Sequence, residues 1–120
     1  MKIFKPGEVI AREGETAKDL LILVRGKIAV VKNDLKVAEF SDAGSVVGEM
    51  SVILNSTRTA TIVAEDESFI TYLQADIDKI IREYPELAKK IMMNLADRLR
   101  HTTEELYCLA NEVKVKPENS

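Results

Sequence analysis

Up to about residue 73, apolar positions come in short runs broken by turn-forming residues, the pattern of strands rather than helices. Leu20 to Val24 is continuously apolar, as in a strand covered on both faces. Lys27 to Val31 and Leu35 to Phe40 flank Asn33-Asp34, a turn pair that joins two strands as a hairpin. Arg58 to Ala64 and Ser68 to Leu73 read as two more strands, with β-branched residues concentrated in the first. So many short strands bury their apolar faces by closing into an antiparallel β-barrel or jelly roll. The glycines at 7, 14, 26, 44 and 48 all fall between or at the ends of the runs.

From Asp76 the period changes. Ile77, Ile80 and Ile81 stand at helical spacing, and Asp76 and Asp78 suit a helix N-terminus. Tyr84-Pro85 interrupts this helix, because proline disfavours helix at the residue before it and starts one well. Glu86 to Val113 then reads as one long helix. Within it Met92, Leu95, Leu99, Thr102, Leu106, Leu109 and Val113 alternate steps of three and four, the seam of a coiled coil. The expectation is a mainly β domain with α, in which a barrel (about 1–73) precedes helices (about 76–113). The long helix over 86–113 serves homodimerisation, and a flexible tail (114–120) follows. No linker or repeat divides the chain, so 1–120 is read as one domain.

Composition narrows the function classes. The chain has 120 residues, 46% hydrophobic and 31% charged, enough for one core without staples. A net charge of -3 and a pI near 5.3 argue against direct nucleic-acid binding, which leaves a basic footprint. The lone Cys108 excludes a disulfide within one chain and points to a reducing cytoplasm. Met1 to Ile10 is no signal peptide, and no apolar run reaches membrane-spanning length. His101 and Cys108 share an outer heptad position and form no metal site; Cys108 reads as a small apolar filler.

The candidate chemistry lies between Val46 and Ala64. Gly48 permits strained dihedrals and close approach of the backbone. Glu49 is a carboxylate suited to sugar hydroxyls, or to closing the loop by pairing with Arg58. Ser51 to Leu54 reads as one helical turn with its N–H groups available to an anion. Arg58 supplies a planar, permanently charged fork matching a phosphate, Thr59 adds a hydroxyl, and Ala60 keeps the approach open.

Gly48-Glu49, followed nine positions after Glu49 by Arg58-Thr59-Ala60, resembles the phosphate-binding cassette of the cyclic nucleotide-binding domain family. Phe4 to Ile10, Gly14-Glu15 and Asp19 to Gly26 resemble that family's opening strands and bends, and Ile80 to Leu99 its closing helices. The resemblance implies a ligand site over Gly48, Glu49, Met50, Ser51, Arg58, Thr59 and Ala60. Glu49 would accept the ribose 2′-hydroxyl, while Arg58 and the Ser51 N–H would meet the cyclic phosphate. Arg98 to Glu104 resembles the part of the long helix in catabolite-activator-type members that contacts adenine. Thr102 would then meet the base held by its own chain, and Thr103 the base across the dimer. Thr59 also occurs in guanine-preferring relatives; the Thr102-Thr103 pair tilts the expectation to cyclic AMP before cyclic GMP.

The expected function is a cyclic nucleotide-binding regulatory module without catalytic residues, metal or cofactor. It would signal through the long helix and dimer seam to a protein partner that the sequence does not identify. A small β-barrel enzyme is the alternative of another class, but such barrels mount metal on several histidines and only His101 is present. Two further alternatives are the effector part of a transcription regulator, for which no helix-turn-helix fits before Ser120, and a dimerisation domain with a vestigial pocket.

Overall fold

The computed structural model describes residues 1–112. The chain divides into two compact units, one from Met1 to Tyr84 and one from Pro85 onward.

The first unit is built on eight strands. In chain order they are β1 (Lys2–Phe4), β2 (Val9–Ala11), β3 (Asp19–Arg25), β4 (Ile28–Lys32), β5 (Leu35–Phe40), β6 (Val46–Val47), β7 (Thr61–Ala64) and β8 (Ser68–Gln74). They form two antiparallel four-stranded sheets, ordered β1-β8-β3-β6 and β2-β7-β4-β5. Phe4, Leu21, Leu23, Val47 and Ile70 of the first sheet cluster with Ile28, Ile62 and Ala64 of the second in one core. Each large aliphatic of that cluster contributes about 1.5–3 kcal/mol on burial. In β3, Leu20, Leu21 and Leu23 are all sealed from solvent, as expected of a strand covered on both faces, whereas Val24 at its end is exposed.

The sheets do not close into the expected barrel. Each keeps two unpaired edges: β1 and β6 in one, β2 and β5 in the other. The chain crosses between the sheets at a corner held by its own hydrogen bonds. The β3–β4 bend and the β7–β8 bend dock on each other through the Lys27 carbonyl, which accepts from the N–H groups of Glu65 (2.8 Å) and Asp66 (3.2 Å). The fully buried Ser68 hydroxyl donates to the Asp66 carbonyl (2.8 Å), with the Lys27 carbonyl an alternative acceptor at 3.1 Å, and accepts from the Lys27 N–H. Gly26 is obligatory there: at φ 116° a Cβ would lie 2.5 Å from the Glu67 carbonyl oxygen. Bend-to-bend hydrogen bonds therefore take the place of a continuous ladder at this corner.

Asn33 and Asp34 both adopt positive φ (51° and 63°), the turn that matches the twist of the β4–β5 hairpin. Helix α1 (Glu49–Ile53) occupies the loop after β6, two residues earlier than the expected turn over 51–54. Helix α2 (Ile77–Glu83) starts at Asp76, whose carboxylate accepts from the Lys79 N–H at 2.8 Å, so the acid acts as N-cap.

The second unit is helix α3 (Pro85–Glu112), opened by proline at its first position. It spans 28 residues, about 42 Å. The expected seam residue Val113 and the tail over 114–120 lie outside the described residues.

Candidate functional site

Arg58 is the centre of the site. The sequence places it at the start of a strand; the structure puts it before β7, with Thr59 and Ala60 in a bend and the strand beginning only at Thr61. The reason is tertiary. The Arg58 N–H donates to the Glu15 carbonyl and its own carbonyl accepts from the Gly14 N–H, both at 2.9 Å. Thr57 bridges to Thr16. The turn around Gly14, whose φ is 88°, thus takes the hydrogen bonds that a sheet neighbour would have made.

The side chain turns inward and is only 6% exposed. Nη2 donates to the Asp19 carbonyl (2.9 Å), and Nη1 donates to the Ser51 hydroxyl (3.1 Å) and, more weakly, to the Gly48 carbonyl (3.3 Å). Ser51 in turn donates its hydroxyl to the Gly48 carbonyl at 2.9 Å. Nε is buried and lacks a hydrogen-bond partner. Burial pushes the guanidinium pKa down, and the charge of Asp19, followed by Glu15 and Tyr72, pushes it up. Arginine stays protonated under either influence, so the site contains a buried cation whose Nε–H has no partner.

Gly48 is the reason this arrangement fits. Its φ of 81° lies in the left-handed region, and a Cβ there would collide with Arg58 Nη1. What the glycine admits in this structure is the guanidinium. A helix start leaves its first N–H groups without intrahelical partners, and Gly48 brings no side chain to cap those of α1. Glu49 and Ser51 are buried in the first turn, while Met50 is exposed. The structure therefore gathers Gly48, Glu49, Ser51 and Arg58 around one turn of helix, with exposed Thr59 and half-buried Ala60 on the adjoining bend.

Thr102 and Thr103 stand on α3 and are exposed. The Thr103 hydroxyl donates to the Leu99 carbonyl at 2.8 Å, the back-bond open to a helical threonine. Cys108 is exposed, as its outer heptad position allows, so it fills no apolar gap within the chain. Among the described residues no cluster of His, Cys, Asp and Glu could hold a metal ion, and no helix is long and apolar enough to cross a membrane.

Sequence reasoning missed three contributors. Asp19 and Glu15 act on Arg58 through backbone carbonyls, which no side-chain pattern reveals. Lys32, at the end of β4, donates to the Thr59 carbonyl at 2.7 Å across 27 residues of sequence.

The arrangement of a left-handed glycine, an acid and an inward arginine around a short helix between β6 and β7 agrees with comparison to known proteins. The family model described as "Cyclic nucleotide-binding domain" matches residues 1–84. The chain belongs to the cyclic nucleotide-binding domain family. It is 34% identical over 100 residues to the cyclic nucleotide-gated channel alpha-2 of Homo sapiens, covering 76% of this chain and 15% of the channel protein. The chain thus spans only a small part of that relative's length. Among solved structures, the catabolite activator protein of Thermus thermophilus superposes with a TM-score of 0.76 at 27% identity, covering 91% of this chain and 54% of that one. The cAMP-bound PfPKA-R structure (residues 141–441) gives 0.59 at 25% identity, covering 96% and 37%. The TM-scores show that these two solved structures share the fold built here.

Proposed function

We propose that the chain is a sensor module that binds a cyclic nucleotide, cyclic AMP before cyclic GMP, and performs no chemistry on it. The observation that carries this reading is Arg58: a buried guanidinium with an unpartnered Nε, beside a helix start that lacks a side-chain cap. A buried donor without an acceptor costs about 1–3 kcal/mol, and a phosphate ester removes that cost while matching the charge. In this reading Gly48, Glu49, Met50, Ser51, Arg58, Thr59 and Ala60 hold the ligand. Glu49 takes the ribose hydroxyl, and Arg58 with the Ser51 N–H takes the phosphate.

The cAMP named in a structural relative supports adenine. So does the Thr102-Thr103 pair, through which α3 would sense the base held by its own chain and the base across a homodimer. Four large apolar residues of the seam, Met92, Leu99, Leu106 and Leu109, are exposed in the single chain, which supports a second copy as their cover. Ligand then acts by favouring one arrangement of helices over another, which requires different affinities in the two. A cytoplasmic setting and a downstream protein partner belong to the same reading.

Calorimetry tests it. Cyclic AMP should bind the wild-type protein, and Arg58→Ala should weaken binding about ten- to a hundredfold, the loss of one charge-assisted contact. A melting curve of Arg58→Ala separates lost contact from lost fold. Thr102→Ala should lower affinity for cyclic AMP without abolishing binding. Equal heats from wild type and Arg58→Ala would remove the cassette reading, and unchanged affinity in Thr102→Ala would remove the base contact.

A further inference from the structure

The segment carrying Arg58 and Thr59 sits where the sheet stops supporting it. The β4–β7 ladder ends at Val31 opposite Thr61, so the bend at Thr59-Ala60 has no strand partner there. One residue past the last rung, the Lys32 ammonium reaches across and donates to the Thr59 carbonyl at 2.7 Å. The same ammonium is 3.7 Å from the Glu13 carboxylate, and the Glu13 N–H donates to the Thr61 hydroxyl at 3.1 Å. With Gly14 and Glu15 already holding the Arg58 main chain, residues 58 to 61 are clasped by the turn over 13–15 and by Lys32.

From this we infer that Lys32 is a positioning residue of the nucleotide site, acting through the Thr59 carbonyl, with Glu13 steering its ammonium. The inference rests on the cyclic-nucleotide reading of the same cassette. Its physical content is preorganisation: a bend fixed before the ligand arrives loses less conformational freedom on binding, so affinity rises without a new ligand contact. Side-chain exposures of 50% for Lys32 and 45% for Glu13 mean that solvent screens the pair, so the effect is modest. The hydrogen bond to Thr59 is the part that matters, because it takes up a carbonyl that no strand pairs.

The test uses Lys32→Met, which keeps the stem and removes the donor, and Lys32→Arg, which restores one. Lys32→Met should bind cyclic AMP roughly two- to fivefold more weakly by calorimetry, and Lys32→Arg should recover wild-type affinity. In ligand-free protein, Lys32→Met should speed amide hydrogen exchange at Thr59 to Thr61 and leave the β3–β8 ladder unchanged. Wild-type affinity and exchange in Lys32→Met would overturn the inference. So would an affinity loss that Lys32→Arg does not rescue, or faster exchange spread over the whole sandwich, which would mark a merely structural lysine. If the wild type binds no cyclic nucleotide, the functional reading fails. The exchange measurement still decides whether Lys32 holds the bend.

Discussion

At the scale of single residues, the site is defined by how Gly48 and Arg58 share space. From the sequence, the glycine leaves room for a ligand; in the structure the room is taken by Arg58 Nη1. The two positions are therefore one feature, and the spacing between them reflects a side chain folding back across a helical turn to its own loop. Gly48→Ala should fail for two reasons. A left-handed φ costs a residue with a Cβ about 1–2 kcal/mol, and the new methyl would push the guanidinium off the Gly48 and Ser51 acceptors. The expected outcome is a melting temperature lower by roughly 4–8 °C per kcal/mol lost and a loss of cyclic AMP affinity of about tenfold or more. A variant that melts and binds as the wild type does would show that Arg58 does not need this approach. Ser51 is the milder partner, because its hydroxyl both accepts from Arg58 and donates to Gly48, and its removal leaves Nη1 the Gly48 carbonyl.

At the scale of elements, what was legible followed from local chemistry. The Asn33-Asp34 turn, the Asp76 cap and the proline start of α3 are each set by residues within a few positions, and each stands where the sequence predicts it. Short apolar runs locate β3, β4 and β8 because each buries residues in the core, whereas β5, with Leu35 and Val37 exposed, is located by the Asn33-Asp34 turn that pairs it with β4. Such runs cannot tell a closed barrel from two sheets, since closure depends on edge pairing, and here the Lys27 carbonyl and the Ser68 hydroxyl lock the corner instead. The start of β7 departs from the sequence pattern for a similar reason: Gly14 and Glu15, far away in sequence, hold Arg58 out of the ladder.

The second sheet carries a testable electrostatic element on its outer face. Lys36 on β5 donates to Glu39 (2.5 Å) and to Glu65 after β7 (3.0 Å), and Lys27 stands 3.4 Å from Glu39. Hydrogen bonding from Lys36, joined by its neighbours, lowers the Glu39 pKa from 4.5 to about 2, while Lys36 itself is raised. A depressed carboxylate stabilises the fold above its unfolded pKa, and that contribution disappears as pH falls from about 4.5 towards 2. A raised lysine contributes below its ordinary value of 10.5, and this is lost as pH climbs through its folded value. The melting temperature of wild type minus Lys36→Met should therefore be small, positive and flat near neutrality. It should shrink below about pH 4.5 and diminish with added salt, because the group is exposed. A difference independent of pH and salt would mean that the cluster contributes packing and not charge.

At the scale of the whole molecule, the exposed apolar row on α3 is what the proposed homodimer would cover. Leu99 is 68% exposed and Leu106 62%, and with Met92, Leu95, Thr102 and Leu109 they stand at alternating steps of three and four along α3. Scattered exposed leucines are ordinary, but a row in coiled-coil register is the form that a second helix covers. Thr102 sits in the same register, and a hydroxyl among leucines weakens such a zipper, so association should be reversible at accessible concentrations. Sedimentation of the wild type should show dimers, and a Leu99→Glu, Leu106→Glu double variant should show monomers, since two carboxylates facing their copies cannot both remain charged and desolvated. Because these positions lie on α3, the variant should keep the first unit folded and its cassette able to bind cyclic AMP. Any affinity it does lose would then measure what the proposed dimer adds to the site. An unaltered dimer in the double variant would place the contact elsewhere and leave the stripe without a role. Full loss of binding together with the dimer would instead make the nucleotide site a property of the pair.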